Sequence, residues 1–345
     1  MTRGSFVDNV GTPMPKVLIA PMTLAGLETS FLETLRKDGF EPLYPRRAAQ
    51  LVEQELMQLL NGVSASIAGS EPYTRRVIEA NPALRVIARV GVGYDAVDLA
   101  AATEHGVAVT IAPGTNHDAV AEHTFALILA VAKCVVPHHV ATKSGQWPRR
   151  TNLPLRGSVL GIVGLGRIGK AVALRGEAFG MPLIAFEPLP DVEFVKKHAI
   201  TLLPFEKVLA EADYLTLHLP LSPDTKHLIN RRTLALMKPT AFLINTARGR
   251  MVCEADLVEA LASKKIAGAG LDVFEAEPPG QNPLFQFDNV VLTPHTAGGD
   301  LKSRDEMAQS AAEAIVALRH GQWPAEKIVN SEVKARFRWE ATDER

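Results

Sequence analysis

Short apolar runs alternate with segments of helical spacing along most of this chain. Between residues 1 and 112 the pattern predicts strands at 16–20, 40–44, 65–68, 84–88 and 107–111, separated by helices at 26–37, 48–60, 74–80 and 97–105. Such runs are typical of strands buried on both faces, and apolar residues three or four positions apart are typical of helices. The alternation therefore predicts a parallel, doubly wound α/β sheet.

The same alternation returns in the second half of the chain. Strands are predicted at 159–163, 184–186, 214–217, 241–245, 268–271 and 290–292, with helices at 170–179, 205–210, 231–237 and 254–263. Before them come a helix over 119–136 that is apolar almost all round and an extended connection over 137–154. Residues 300–320 form a last helix that is long enough to return to the first domain.

Two doubly wound parallel-sheet domains follow from this order, a flavodoxin-like one and a Rossmann one. The turn Ala112-Pro113-Gly114 is the expected hinge. We therefore predict one domain from residues 1–112 plus 299–330 and a second domain from 113–298. Residues 1–15 are expected to be a loose arm, and the charged residues 331–345 a mobile tail.

A glycine fingerprint follows the first strand of the second domain. Gly164, Gly166 and Gly169 enclose Arg167 and Ile168 in the order G-x-G-x-x-G, between a buried strand and a helix. In that position the first glycine allows the turn, the second lets a pyrophosphate approach the backbone, and the third lets helix and strand pack closely. The helix N-terminus then directs its free N–H groups at the phosphates. The fingerprint predicts a dinucleotide site.

The next strand ends at Glu187, eighteen positions after Gly169. A carboxylate near this spacing binds the ribose 2′-hydroxyl of NAD. Neither Lys nor Arg occurs between Pro188 and Asp191, so nothing there would compensate a 2′-phosphate. The expected cofactor is NAD(H) and not NADP(H).

Composition limits the binding partners and the cellular location that the protein can have. The 345 residues are 47% hydrophobic and 22% charged, with a net charge of −1, which offers no electrostatic basis for a nucleic-acid or membrane partner. The two cysteines suit a reducing compartment. The longest apolar stretches are too short to span a bilayer, and the N-terminus lacks the apolar core of a signal peptide. We expect a cytoplasmic protein.

Polar side chains follow the strands at the sheet edge where ligands bind in open α/β folds. Arg248 comes after one strand, and its guanidinium suits a planar carboxylate. His295 comes after another, and an imidazole titrates in the range of a general acid or base. Glu277 could orient that ring, with Glu275 as the alternative. No cluster with the spacing of metal ligands is evident, so no metal is expected.

Five ordered stretches resemble the D-isomer-specific 2-hydroxyacid dehydrogenase family, over about residues 16–330. They are RVGVGYDAVD (89–98), VLGIVGLGRIGKAVA (159–173), LINTARGRMV (243–252), GLDVFEAEP (270–278) and LTPHTAG (292–298). Within the family the chain is most similar to the phosphoglycerate dehydrogenase and hydroxypyruvate/glyoxylate reductase branches. The resemblance implies an NAD-dependent oxidoreductase that interconverts a D-2-hydroxy acid and its 2-keto acid by hydride transfer.

The resemblance also implies roles for individual residues. Arg248 would hold the 2-keto acid, His295 would move the proton, and Glu277, at the family's spacing from Asp272, would support His295. Other implied cofactor contacts come from Leu219, Thr246, Ala247 and Asp272, the last one near the nicotinamide amide. The implied substrate-carboxylate site consists of Arg89, Val90, Gly91, Val92, Gly93 and Asn116.

The motifs leave the substrate and the class of function open, while the sequence does predict an oligomeric state. Gly69 stands where phosphoglycerate-type relatives commonly carry a phosphate-binding Arg, so a phosphorylated and a small unphosphorylated substrate both remain. The fold also occurs in the C-terminal-binding transcriptional corepressors, which makes an NAD(H)-sensing binding protein the alternative function. A homodimer is expected from the apolar helix over 119–136 and from Trp147, a candidate interface anchor.

Overall fold

The computed structural model describes residues 14–46, 50–149 and 151–339. Contacts within the chain divide it into two compact units, residues 1–116 with 301–345 and residues 117–300. Most of the predicted N-terminal arm lies outside the described residues. Each unit contains one parallel sheet, which confirms the predicted fold class.

The first unit is built on a five-stranded sheet. Its strands are β1 (Lys16–Ile19), β2 (Glu41–Leu43), β3 (Ala65–Ala68), β4 (Val86–Arg89) and β5 (Ala108–Thr110). Its helices are α1 (Ser30–Lys37), α2 (Glu53–Leu59), α3 (Arg75–Glu79), α4 (Leu99–Glu104) and α12 (Leu301–Arg319). The strand order β2-β1-β3-β4-β5 is that of a flavodoxin-like sheet.

The second unit is built on a seven-stranded sheet. Its strands are β6 (Leu160–Val163), β7 (Leu183–Phe186), β8 (Thr201–Leu202), β9 (Tyr214–Leu217), β10 (Phe242–Asn245), β11 (Gly268–Leu271) and β12 (Val290–Leu292). Its helices are α5 (His117–Ala132), α6 (Val135–Lys143), α7 (Arg167–Ala178), α8 (Val192–Lys197), α9 (Phe205–Glu211), α10 (Arg231–Leu234) and α11 (Glu254–Ala262). The order β12-β11-β10-β9-β6-β7-β8 reverses direction beside β6, the strand that carries the glycine fingerprint.

Burial explains why short apolar runs become strands here. Every residue of β3, β4, β6, β9, β10 and β11 is buried. Helices cover both faces of each sheet, so these strands need apolar side chains on both sides. In α1 the buried residues are Phe31, Leu32 and Leu35, which lie on one face of the helix. The strands are followed by polar loops, and the candidate site residues lie in those loops.

The predicted helix over 119–136 is wrong in its length. α5 ends at Ala132, Cys134 has a left-handed backbone with φ 50°, and α6 begins at Val135 at an angle of 60° to α5. The extended connection predicted for 137–154 is therefore helical over its first third. Among the described residues no single helix is long and apolar enough to cross a membrane, although the bent pair α5 and α6 has the length and composition to do so.

The predicted mobile tail is wrong for residues 331–339. Ser331–Ala335 form a 3-10 helix in which Val333 is fully buried. Phe337 and Trp339 pack against the core of the first unit, and the Trp339 ring meets that of Phe40 edge-on at 5.7 Å. These apolar residues, spaced among the charges, hold the segment against the sheet.

Candidate active site

The glycine turn between β6 and α7 shows why it needs its glycines. Gly164 has φ +97°, and a Cβ there would lie 2.8 Å from the His218 carbonyl. A Cβ on Gly169 would lie 2.0 Å from the Gly164 carbonyl oxygen. A Cβ on Gly166, which caps α7, would instead project into open space. The outer glycines are required by packing, whereas the middle one leaves the backbone accessible, as a pyrophosphate requires.

Glu187 lies directly beside this turn. Its carboxylate accepts hydrogen bonds from the Leu165 N–H at 2.7 Å and from the Leu189 N–H at 3.0 Å. Lys170 on α7 forms an ion pair with Asp191 at 2.6 Å, so this cation already has a carboxylate partner. The arrangement places a carboxylate at the end of β7, next to the phosphate turn, where the ribose hydroxyls of NAD would bind.

A buried ring nitrogen at the end of β9 also fits a dinucleotide. Nδ1 of His218 is buried and has no hydrogen-bond partner among the described residues, while Nε2 bonds the Thr216 hydroxyl at 2.9 Å. Burial lowers the pKa of His218 to about 3, so the ring is neutral at physiological pH. Leu219 follows it and contacts the Gly164 turn. The residues present therefore fit the nucleotide that the fingerprint predicts.

His295 and Glu277 form a hydrogen-bonded pair at the same edge of the sheet. The distance from His295 Nδ1 to Glu277 Oε2 is 2.6 Å, and Glu277 Oε1 accepts the Phe274 N–H at 3.0 Å. Burial acts to raise the pKa of Glu277, but the His295 hydrogen bond and the charges of His295 and Arg248 bring that pKa below its usual value. An ionised Glu277 holds the proton on Nδ1 and leaves Nε2 to exchange a proton with a substrate.

Asp272 holds the loop that presents His295. It is fully buried, and its carboxylate accepts the Thr293 hydroxyl at 2.6 Å and the Thr296 and Ala297 N–H groups at 2.9 and 2.8 Å. Its carbonyl accepts the His295 N–H at 2.7 Å. His295 itself has φ 53°, a left-handed conformation that is uncommon for residues other than glycine.

His123 on α5 belongs to this network, although no sequence motif marks it as a site residue. Its Nε2 bonds the Thr293 hydroxyl at 2.9 Å and lies 3.5 Å from Asp272. The neighbouring Thr124 bonds the Thr246 hydroxyl at 3.0 Å. No sequence signal reveals these contacts, because more than one hundred residues separate the partners.

Arg248 is positioned by the turn that follows β10. The Asn245 side chain accepts the Ala247 N–H at 3.0 Å and donates to the Arg248 carbonyl at 2.9 Å. A Cβ on Gly249 would lie 1.8 Å from the Phe274 carbonyl carbon, so only glycine lets this turn pack against the segment that carries Glu277. The charge of Arg248 acts on Glu277, which shows that both belong to one electrostatic site.

The predicted carboxylate loop lies at the end of β4 in the first unit. Arg89 is 9% exposed, and its Nε donates to the Gly93 carbonyl at 2.9 Å, which braces the loop. Gly91 has φ +149°, and Asn116 is buried at the end of this unit.

Glu71 lies beside this loop, and no sequence pattern singles it out. It is 3% exposed, and it accepts the Gly69 N–H at 2.5 Å. Burial raises the pKa of Glu71, against the opposing effects of hydrogen bonds from its own and the Gly69 N–H and of the Arg89 charge. A buried carboxyl group therefore occupies the space beside Gly69.

Comparisons with known proteins show which family this chain resembles. The family model of the D-isomer specific 2-hydroxyacid dehydrogenase NAD-binding domain matches residues 125–297. Glyoxylate reductase of Korarchaeum cryptofilum is 41% identical over 271 residues, which are 76% of this chain and 81% of that protein. D-3-phosphoglycerate dehydrogenase of Methanocaldococcus jannaschii is 39% identical over 287 residues, 82% of this chain and 55% of that protein.

A solved structure is also similar over nearly the whole chain. D-lactate dehydrogenase of Aquifex aeolicus, complexed with NAD and lactic acid, has a TM-score of 0.79 and 27% identity and covers 92% of this chain and 99% of its own. The chain belongs to the family of D-isomer specific 2-hydroxyacid dehydrogenases. It is an NAD-dependent oxidoreductase that interconverts a 2-hydroxy acid and its 2-keto acid, and the comparisons give no support to the corepressor alternative.

Proposed function

We propose that this enzyme reduces a small, unphosphorylated 2-keto acid such as glyoxylate or hydroxypyruvate. The observation that carries the choice is Glu71, a buried carboxylate in contact with Gly69 and close to Arg89. A phosphate group brought to this end of β3 would meet the carboxyl group of Glu71, which repels it when ionised, instead of a second cation. The similarity to glyoxylate reductases supports the same choice.

The proposed chemistry assigns one role to each residue of the site. NADH, when bound, supplies the hydride for the keto carbon. Arg248 binds the substrate carboxylate and stabilises the negative charge that develops on the carbonyl oxygen. As the C=O π electrons move to that oxygen, Nε2 of His295 donates the proton that completes the hydroxyl group. Glu277 keeps the ring in the correct tautomer and balances its charge.

The remaining predicted contacts are part of the same proposal. Gly164, Gly166, Arg167, Ile168 and Gly169 would bind the pyrophosphate, with Glu187 on the adenosine ribose. Leu219, Thr246, Ala247 and Asp272 would lie along the nicotinamide half. In the first unit, the 89–93 loop and Asn116 would bind substrate. This division supports the proposal of a substrate domain and an NAD-binding domain.

We further propose a cytoplasmic homodimer with neither nucleic-acid nor membrane partner. The free thiols of Cys134 and Cys253 and the net charge of −1 support the location and the absence of such partners. The second subunit would cover α6, in which no residue is buried. Val140 on this helix is 61% exposed and the nearby Trp147 is 77% exposed, an apolar area of the kind that forms interface centres.

Initial rates with NADH test the substrate proposal. We expect kcat/KM for glyoxylate or hydroxypyruvate to exceed that for 3-phosphohydroxypyruvate by about 100-fold. Glu71→Gln should narrow this ratio, whereas Glu79→Gln, a change on the exposed side of α3, should leave it unchanged. Preference for the phosphorylated substrate would disprove the substrate class, and the absence of NADH oxidation with every 2-keto acid would disprove the function.

A further inference from the structure

A cluster of three metal-ligating side chains lies in the second unit, outside the hydride-transfer site. His227 Nε2, Cys253 Sγ and a Glu275 carboxylate oxygen all lie within 4.8 Å of one another. They come from three separate segments, 26 and 22 positions apart in the chain, so no sequence motif reveals them. We propose that His227, Cys253 and Glu275 form a binding site for a thiophilic divalent cation, with Zn²⁺ as the best match.

The backbone holds the three segments together without any metal. The His227 N–H donates to the Arg250 carbonyl at 2.8 Å, and the Cys253 N–H donates to the Ile229 carbonyl at 2.8 Å. The Glu275 N–H donates to the Glu254 carboxylate at 2.6 Å. These bonds fix where each ligand begins, so binding requires side-chain adjustments and no new loop arrangement.

The spacing and chemistry of the donors suit zinc. Zn–S, Zn–N and Zn–O bonds of about 2.0–2.3 Å in a tetrahedron put neighbouring donor atoms roughly 3.3–3.8 Å apart. The present His227–Glu275 separation is 2.5 Å, that of a hydrogen-bonded pair, which must open slightly to admit the ion. One thiolate, one imidazole and one carboxylate is a donor set that favours zinc over the hard cations Mg²⁺ and Ca²⁺.

An ordinary ion pair between His227 and Glu275 would explain why these two side chains are close, but not why Cys253 lies beside them. The thiol is the third, and it also hydrogen-bonds the Asp256 carboxylate, whose charge adds to the negative potential around the cluster. All three ligands are partly exposed, so an ion can enter from solvent and a water can take the fourth position. Glu275 lies two residues before Glu277. A bound ion would therefore also restrict the motion of the segment that contains Glu277, the hydrogen-bond partner of His295.

The chain provides a matched control for the test, since Cys134 is its other cysteine. Untagged protein, stripped with a chelator, is titrated with Zn²⁺ against a chromophoric chelator. We expect one Zn²⁺ per chain in the wild type and in Cys134→Ser. In Cys253→Ser and His227→Gln the affinity should fall at least about tenfold. Co²⁺ should give a thiolate charge-transfer band that only the Cys253 variant loses.

A labelling experiment on the unaltered protein removes any dependence on variant folding. Zn²⁺ should slow the alkylation of Cys253 by iodoacetamide and leave that of Cys134 unchanged, as measured by peptide mass spectrometry. Both readouts use apoprotein and metal alone, so they are independent of the proposed substrate. Equal affinity in the Cys253 and Cys134 variants, the absence of stoichiometric binding, or alkylation of Cys253 unaffected by Zn²⁺ would each overturn the proposal.

Discussion

At the scale of single residues, the proposed chemistry depends on the interaction between the Glu277 carboxylate and the imidazole of His295. Glu277 accepts hydrogen bonds from both His295 and the Phe274 N–H, and Arg248 adds a favourable charge. These interactions outweigh burial, so the pKa of Glu277 lies below that of an ordinary glutamate. The carboxylate is therefore ionised throughout the neutral range, as an orienting group for a proton donor must be.

Glu277→Gln should reduce kcat by about 100-fold, because an amide can no longer balance the charge of the ring. KM for NADH should change little, since the residue lies outside the glycine turn. Steady-state kinetics measures both quantities. Equal losses in kcat and in NADH affinity would contradict the assigned role, and Glu206→Gln on α9 serves as the control.

The effect of Glu277→Gln on thermal stability should depend on pH. A lowered pKa in the folded state means that the ionised Glu277 contributes stability at neutral pH. As the pH falls through the folded pKa, both states become protonated and that contribution is lost. The Tm difference between wild type and Glu277→Gln should therefore be largest near pH 7 and shrink below about pH 4. A difference independent of pH would show that the carboxylate charge contributes nothing.

At the scale of secondary-structure elements, α5 stabilises two loops of the active-site edge. His123 contacts Thr293, in the loop before His295, and Thr124 contacts Thr246, in the turn before Arg248. The helix touches neither His295 nor Arg248 in these contacts. It acts by fixing the segments on which they are carried.

From these contacts we expect His123 to be a positioning residue, and its replacement tests this role. His123→Ala should lower kcat about tenfold, because the loop that carries His295 is held less precisely when the Thr293–Asp272 contact loosens. His123→Gln, which can still bond the Thr293 hydroxyl, should recover most of that loss. The neighbouring Glu122→Gln is the control, since Glu122 pairs with Arg175 away from this network. Failure of the glutamine variant to recover activity would argue against positioning through this hydrogen bond.

At the scale of the whole molecule, the exposed apolar surface of α6 is the feature to be explained. Its residues Val135, Val136 and Val140 are 51%, 47% and 61% exposed. Several exposed apolar side chains on one helix are typical of an oligomer interface.

We expect light scattering after size exclusion to give the mass of a dimer for the wild type. Val140→Asp should shift the population toward the 37.3 kDa monomer, because a charge cannot be buried in an apolar interface without cost. Val192→Asp, at a valine on α8 that is at least as exposed, should not. A wild-type protein that is monomeric at micromolar concentration would disprove the interface.

The sequence by itself determined the parts of this protein that depend on neighbours along the chain. Strand and helix alternation, the glycine turn and the positions of Arg248 and His295 at strand ends are all local patterns. For the same reason the fold class and the family were predictable from residue order. The sequence left two candidates, Glu275 and Glu277, for the carboxylate that orients His295. The contacts distinguish them, because Glu277 hydrogen-bonds His295 while Glu275 pairs with His227.

Only the tertiary structure decided the contacts between distant segments. It put Glu71 against Gly69 beside Arg89, His123 against Thr293, and His227 with Cys253 and Glu275. It also bent the helix at Cys134 and packed Val333 into the core. Hydrogen bonding, charge and burial act through space, and a linear pattern of apolar and polar residues does not record which distant side chains the folded sheets bring together.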